Sequence, residues 1–337
     1  MIRVGVIGYG YWGPNLVRNF AEFEESTVVA VSDLDRKQLA RVKRRYPALE
    51  TTTNHRALLS NPGIDAIAIA TPVATHFELA MAALRAGKHV FVEKPLTATS
   101  DQGERLIDEA TKRNLILHVD HTFVYTGAVR KMRELVERGE LGDLYYYDSV
   151  RVNLGLFQAD VSVIWDLAVH DLSILQYVIP LVPTAVSATG VRHVHGSPES
   201  IAYCTLFYEN NMIAHLHVNW LAPVKLRRTL IGGTRKMVVY DDLEPIEKIK
   251  VYDKGVIVGG DREALYQSMM GYRTGDMWAP QLDTTEALLV EVQHFTHCIT
   301  SGKQPITDGE AGVAVVRTLE AAAESLRGRG RPIALRG

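Results

Sequence analysis

The segment Trp165-Asp166-Leu167-Ala168-Val169-His170 carries two groups that can move a proton. Asp166 and His170 stand at i and i+4, so on a helix they share a face. A carboxylate beside an imidazole fixes its tautomer and raises its basicity. That pair suits a general base near neutral pH. A capped or salt-bridged helix face fits the same spacing. Asp171 points elsewhere and reads as structural. A third group is Lys94, in Glu93-Lys94-Pro95. It follows Lys88-His89-Val90-Phe91-Val92, which reads as a strand, and Pro95 stiffens the turn. A lysine at the carboxyl end of a parallel strand faces the ligand crevice, where desolvation or a neighbouring cation lowers its pKa. It can then exchange a proton with a hydroxyl. A surface lysine after a strand is the plain alternative.

Those groups need a platform, and the first residues supply its signature. Val4, Val6 and Ile7 read as a buried strand, and Pro14, Leu16, Val17 and Phe20 as the start of a helix. Between them lies Gly8-Tyr9-Gly10-Tyr11-Trp12-Gly13. In a strand–turn–helix setting, Gly8 allows the tight turn, Gly10 admits a pyrophosphate and Gly13 lets helix and strand pack closely. The helix start offers free N–H groups and a positive dipole end. Thr27 to Ser32 reads as the second strand and ends at Asp33, where this fingerprint places its ribose-binding acid. A carboxylate there accepts both ribose hydroxyls and repels a 2′-phosphate, which favours NAD over NADP. Arg36 and Lys37 act in the opposite sense.

The chain has 337 residues, enough for two domains, and a formal net charge of -2. No basic stretch is interleaved with aromatics, which argues against nucleic acid as a partner. Arg41, Lys43, Arg44 and Arg45 read as a solvated helix face. Two cysteines, Cys204 and Cys298, give neither a disulfide framework nor zinc spacing. His193 with His195, and His215 with His217, project in pairs from strands, but no carboxylate or cysteine converges on them in sequence, so no metal is expected. With a strand beginning at residue 2 and no membrane-length apolar run, a cytoplasmic protein without membrane contact is expected.

Strand and helix alternate through the first third: Ile64 to Ala70, His76 to Ala86, Lys88 to Val92, Asp101 to Arg113 and Leu115 to Val119. This predicts an α/β class with a doubly wound parallel sheet over residues 1–120. Residues 121–337 read as an α+β domain with a large, open, mostly antiparallel sheet. Its helices are Ala128 to Gly139, Ser162 to Ile179, Glu286 to Ser301 and Gly309 to Arg327, and its strands run from Thr184 to about Val258. Such a sheet needs both faces covered, so a homodimer or homotetramer is expected. The polar, aromatic loop from Tyr272 to Trp278 is long enough to line a pocket or an interface.

Taken in order, GYGYWG, ATPVATH, EKP and WDLAVHD resemble the Gfo/Idh/MocA oxidoreductases over essentially the whole chain. The resemblance implies a Rossmann NAD-binding domain and hydride exchange between a nicotinamide cofactor and a secondary alcohol of a sugar or cyclitol. Lys94 matches the family's catalytic lysine, and Asp166 and His170 its acid and histidine. Thr71, Pro72, His76 and Glu93 match positions lining the cofactor, along with Tyr11 and Trp12 of the glycine loop. HTFVY departs from the HNFRY form common in the family, which removes the Asn and Arg contacts. Three longer segments, beginning RVNLGLF, KLRRTLIGG and YRTGDMW, look like members found with nucleotide-sugar pathways, among them UDP-N-acetylglucosamine-type 3-dehydrogenases. In that reading Arg151, Asn153, Lys225, Arg227 and Tyr272 contact the substrate, the cations serving its diphosphate, with Arg228 a further candidate. A dehydrogenase of a free cyclitol or monosaccharide and a non-catalytic NAD-binding regulator are the alternatives; a regulator has no need of Lys94, Asp166 and His170.

Overall fold

The computed structural model describes residues 1–155, 161–194, 198–257 and 271–335, with the backbone alone at 255–257 and 271–273. The chain forms two compact units, Met1–Thr126 with Thr285–Glu320, and Gly127–Thr284 with Ala321–Gly337. In the first unit the order is β1 (Ile2–Ile7), α1 (Gly13–Glu22), β2 (Ser26–Ser32), α2 (Arg36–Arg45), β3 (Glu50–Thr52), α3 (His55–Ser60), β4 (Ala66–Ile69), α4 (His76–Arg85), β5 (His89–Glu93), α5 (Ser100–Arg113) and β6 (Leu117–Asp120). The six strands are parallel in the order β3-β2-β1-β4-β5-β6. Helices on both faces explain why β4 and the middle of β5 are buried apolar runs without alternation. Strand order reverses between β1 and β4, and ligands bind at the carboxyl ends of strands at such a point. Gly8 and Thr71 lie there.

The second unit has α6 (Gly127–Glu137), β7 (Leu144–Leu154), a π turn at Ile164–Ala168 and α7 (Val169–Val178). The strands β8 (Ala185–Val191), β9 (Ile201–Phe207), β10 (Ile213–Asn219), β11 (Leu221–Gly233), β12 (Met237–Asp241) and β13 (Ile249–Tyr252) follow. A two-stranded hairpin, β14 (Gly255–Ile257) with β15 (Gly271–Arg273), precedes β16 (Met277–Trp278). The nine-stranded sheet runs β16-β13-β12-β11-β7-β10-β9-β8-β17, closed at one edge by β17 (Ile333–Ala334). Only the β7–β10 pairing is parallel. Ala202, Cys204, Leu206, Ala214, Leu216 and Val218 alternate onto the buried face. Tyr203, Phe207 and Ile213 are exposed on the other.

The segment Thr285–Glu320 was expected in the second domain and instead completes the first unit, while Ala321–Gly337 stays with the second. There α8 (Ala287–Ser301) places Leu288, Val292, Phe295 and Cys298 in one core with Phe20 and Phe91. The Phe295 ring meets Phe91 at 5.4 Å and Phe20 at 6.2 Å, both edge to face. The last helix, α9 (Gly309–Arg327), contributes to both units. The boundary near residue 120 therefore moves to 126, because a short 3₁₀ turn at Thr122–Tyr125 still packs with this unit: the Tyr125 ring lies 5.9 Å from His118 on β6, and its hydroxyl 2.9 Å from Thr307 Oγ1 of the returning segment.

Candidate active site and cofactor cradle

The glycines of the first turn differ in what demands them. Gly8 has φ +96°, and a Cβ there would sit 2.5 Å from Ala70 O. A Cβ on Gly13 would sit 2.1 Å from Gly8 O. Both are required by the chain itself. A Cβ on Gly10 would meet nothing within 4 Å. Its side of the loop opens outward, where close approach of a pyrophosphate needs a bare backbone. Trp12 is the N-cap of α1 but its side chain accepts no hydrogen bond from the helix's N–H groups, and the first turn of that helix holds no acid. Its leading N–H groups thus carry the positive dipole end with no carboxylate of their own to neutralise it, as an anion site requires. By contrast, Asp35 caps α2, accepting from Lys37 N at 2.8 Å.

Asp33 follows β2 and is fixed by two backbone donors. Tyr9 N donates to Oδ2 at 2.6 Å and Asp35 N to Oδ1 at 2.8 Å. The glycine loop therefore aims the carboxylate, whose remaining lone pairs suit two ribose hydroxyls. These features fit a dinucleotide. NAD is expected to bind more tightly than NADP, and Asp33→Ala to narrow the gap. Titration of both cofactors against protein fluorescence measures this; equal affinities in the wild type would show Arg36 or Lys37 overriding the acid.

Glu93 and Lys94 are half-buried at the end of β5, and Lys94-Pro95 is cis. The Lys94 ammonium acts on Asp120 and His121. Burial first, then this cation, hold His121 down at about 3, so it is a neutral imidazole. Tyr11 is 90% exposed and stacks on Trp12 with centroids 6.5 Å apart. Thr75 Oγ1 lies 2.8 Å from Thr71 Oγ1 and donates to Pro72 O at 2.8 Å, closing the turn after β4. His76 departs from the cofactor-lining position expected of it. It is 1% exposed, with Nδ1 2.9 Å from Pro95 O and Nε2 2.8 Å from Thr71 O. It braces the turns after β4 and β5 from within, and burial lowers its pKa.

In the second unit the expected continuous helix begins as the π turn that holds Asp166, and His170 is the second residue of α7. Such turns often mark functional positions. Asp166 Oδ2 accepts from Trp220 Nε1 at 3.0 Å. Trp220 is itself buried, and Gly155 allows the chain to pass it: a Cβ there would lie 2.4 Å from the indole Cδ1. Trp220 therefore orients Asp166, a role its isolated position after a strand did not signal. Ser173 Oγ donates to the His170 carbonyl at 2.8 Å, and the His170 side chain is half-buried.

Arg151 is not a surface cation awaiting a diphosphate. It is 4% exposed, and its Nε donates to Asp171 Oδ2 at 2.8 Å. Ser149 Oγ donates to the other oxygen of Asp171 at 2.8 Å. β7 faces α7 here, and the two charges neutralise each other between them. Arg227 pairs with Asp242 at 3.2 Å and Arg228 with Asp241 at 2.7 Å. Lys225 is exposed and Asn153 half-buried. Tyr272 lies on β15, where its side chain is outside the described residues, as is His195. Among the described residues no group of His, Cys, Asp and Glu is arranged to hold a metal, and no helix is long and apolar enough to cross a membrane.

Two family models match this chain: the oxidoreductase family with an NAD-binding Rossmann fold over residues 2–121, and the Gfo/Idh/MocA C-terminal domain over residues 129–239. The UDP-N-acetylglucosamine 3-dehydrogenase of Acidithiobacillus ferrooxidans is 28% identical over 324 residues, 94% of each chain. A solved structure of that protein aligns with a TM-score of 0.83 at 25% identity, covering 97% of this chain and 98% of its own. Myo-inositol 2-dehydrogenase of Thermotoga maritima is 25% identical over 96% of each chain. The uncharacterized oxidoreductase YdgJ of Escherichia coli is 32% identical over 265 residues, 73% of each chain. With the glycine cradle, the aimed Asp33 and these matches together, the chain belongs to the Gfo/Idh/MocA family of NAD-binding oxidoreductases.

Proposed function

We propose that this enzyme oxidises a secondary alcohol of a sugar, with C3 of a UDP-linked sugar in glycan or amino-sugar biosynthesis as the preferred substrate. The observation that carries the reading is Asp166, held by Trp220 in a π turn just before His170. A binding protein has no use for an acid so oriented four residues before a histidine. Similarity to the UDP-N-acetylglucosamine 3-dehydrogenase over 94% of both chains supports the substrate class.

Bound NAD supplies the hydride acceptor; proton handling and orientation fall to the chain. Gly8, Gly10, Gly13 and the start of α1 hold the diphosphate, and Asp33 the ribose. His170 takes the proton of the alcohol, and Asp166 holds the imidazole in the basic tautomer and stabilises the cation formed. Lys94 donates to the same oxygen and steadies its developing negative charge. In the direction of ketone reduction, His170 returns the proton.

The commitment of Arg151 to Asp171 favours a second reading, a free cyclitol, because it removes one cation from a diphosphate site. The similarity to a myo-inositol 2-dehydrogenase points the same way. A screen of UDP-sugars, dTDP-sugars and free cyclitols, followed by absorbance of reduced nicotinamide, separates them. Turnover of a UDP-sugar well above any cyclitol is expected; the reverse order would establish the cyclitol, and NAD binding with no turnover at all a regulator.

The exposed Tyr203, Phe207 and Ile213 lie together on β9 and β10, where Phe207 pairs with Ile213. We expect this sheet face to be covered by a second copy of the chain, as a dimer or tetramer. Light scattering at micromolar concentration should give at least twice the chain mass of 37.4 kDa; a monomer would count against it.

A further inference from the structure

Within the first unit, the Trp12 indole of the glycine loop is tied to a buried acid. Its Nε1 donates to Asp120 Oδ2 at 2.6 Å, and Thr122 Oγ1 donates to Asp120 Oδ1. Asp120 ends β6 and is 2% exposed. Two residues earlier on the same strand, and so on the same face, His118 Nε2 lies 3.0 Å from Oε1 of Glu291 on α8. Glu291 is fully buried. Its other oxygen, Oε2, makes no hydrogen bond among the described residues, and the Asp120 carboxylate and the Thr122 hydroxyl are side-chain neighbours of Glu291.

Two acceptors set together in a buried site cannot both remain ionised. Asp120 already receives two donors and is the member suited to carry the charge. Glu291 has one oxygen beside His118 Nε2 and the other without a hydrogen bond among the described residues; of its side-chain neighbours Asp120 and Thr122, the Thr122 hydroxyl already gives its proton to Asp120 Oδ1. A proton on Oε2, donated to Asp120, leaves no acceptor of the pair idle. Burial, then the charge of Asp120, push the Glu291 carboxyl well above the usual range. Burial likewise keeps His118 neutral, so no imidazolium stands ready to offset a second negative charge.

We propose that Glu291 and Asp120 share one proton beside the glycine loop, and that this pair is the positioning device that fixes Trp12, and with it the start of α1, for the dinucleotide. Trp12 is the N-cap residue of α1, so holding its ring holds the turn whose N–H groups meet the diphosphate. Sharing the proton also spares the anionic cofactor a second nearby negative charge. The device is independent of which alcohol is oxidised.

The test uses the full chain and NADH as probe. Binding is followed by fluorescence, and the Trp12 indole N–H by 15N NMR. Glu291→Gln keeps an N–H for Asp120 and an oxygen for His118, so NADH affinity should stay within about twofold of wild type and the Trp12 signal should not move. Glu291→Leu keeps bulk and loses the donor; affinity should fall by about tenfold or more, with a displaced Trp12 signal. Raising the pH should weaken NADH binding by the wild type as the shared proton leaves, and Glu291→Gln should lack that component. Glu93, Lys94, His121, Tyr125 and His294 also surround this network, but they are present in both proteins, so the difference between the two profiles isolates the pair. Wild-type affinity and an unmoved indole in Glu291→Leu would overturn the proposal. So would equal losses in the Gln and Leu variants, or superimposable pH profiles for wild type and Glu291→Gln. If Glu291→Leu does not fold, the Gln variant and the two profiles decide.

Discussion

His170→Ala and Lys94→Ala are each expected to lower turnover by about 10²–10⁴-fold, the range for removal of a positioned acid or base. NAD affinity holds in His170→Ala, because the histidine belongs to the unit that lacks the glycine cradle. Asp166→Asn costs less than loss of the histidine. Asparagine still offers an oxygen to Trp220 Nε1, so orientation survives while the charge that stabilises the imidazolium is lost. Trp220→Phe removes the donor instead, leaving Asp166 charged but no longer aimed, and should lower turnover without changing NAD affinity. Steady-state kinetics with the best alcohol from the screen, beside NAD titration, checks the set. Near wild-type turnover by His170→Ala would move the proton transfer to another group, and the role of Asp166 would fall with it.

Asp171→Ala should lower stability by about 3–5 kcal/mol, the cost of removing one partner from a buried ion pair. The loss is large because Arg151 remains, 4% exposed, in a site built to balance it. Ser149 Oγ loses its acceptor as well. Replacing both charges, as Arg151→Met with Asp171→Leu, should recover most of the loss, since buried pairs exchange for apolar packing at little net cost. Urea unfolding followed by circular dichroism gives the energies. The double variant also separates the two roles considered for Arg151. If the arginine held substrate, KM would rise sharply even with stability restored; a nearly unchanged KM is expected. A single variant as stable as wild type would mean the pair contributes little.

The cofactor unit is readable from the chain because its signals are local. Ile67, Ala68 and Ile69 form an unbroken buried run, Gly8 to Gly13 sit between strand and helix, and Asp33 falls where a ribose ligand belongs. What escapes local reading depends on residues far apart. Arg151 and Asp171 lie on a strand and a helix whose pairing no periodicity reveals. Trp220 reaches Asp166 across 54 positions. His76 has the residue type of a ligand contact, but burial and two carbonyls make it a brace. One distant member did leave a trace: Glu291 interrupts the apolar stripe of Leu288, Val292 and Phe295, and an acid on the core side of a helix needs a partner. The π turn at Ile164–Ala168 carries no comparable mark, since its residues suit an ordinary helix equally well.

The return of Thr285–Glu320 to the first unit sets the timetable of synthesis. The whole of Gly127–Thr284 must leave the ribosome before Phe295 can cover Phe20 and Phe91. At about 5–20 residues per second, that leaves the nascent cofactor unit open for roughly ten to thirty seconds. Its glycine loop is translated first, yet Glu291, the acid beside Asp120, is among the late arrivals. A chain released at residue 126 would display that aromatic core to water and aggregate, whereas a chain released at residue 320 has every part of the unit. The nascent protein is therefore exposed to chaperone capture over a defined window.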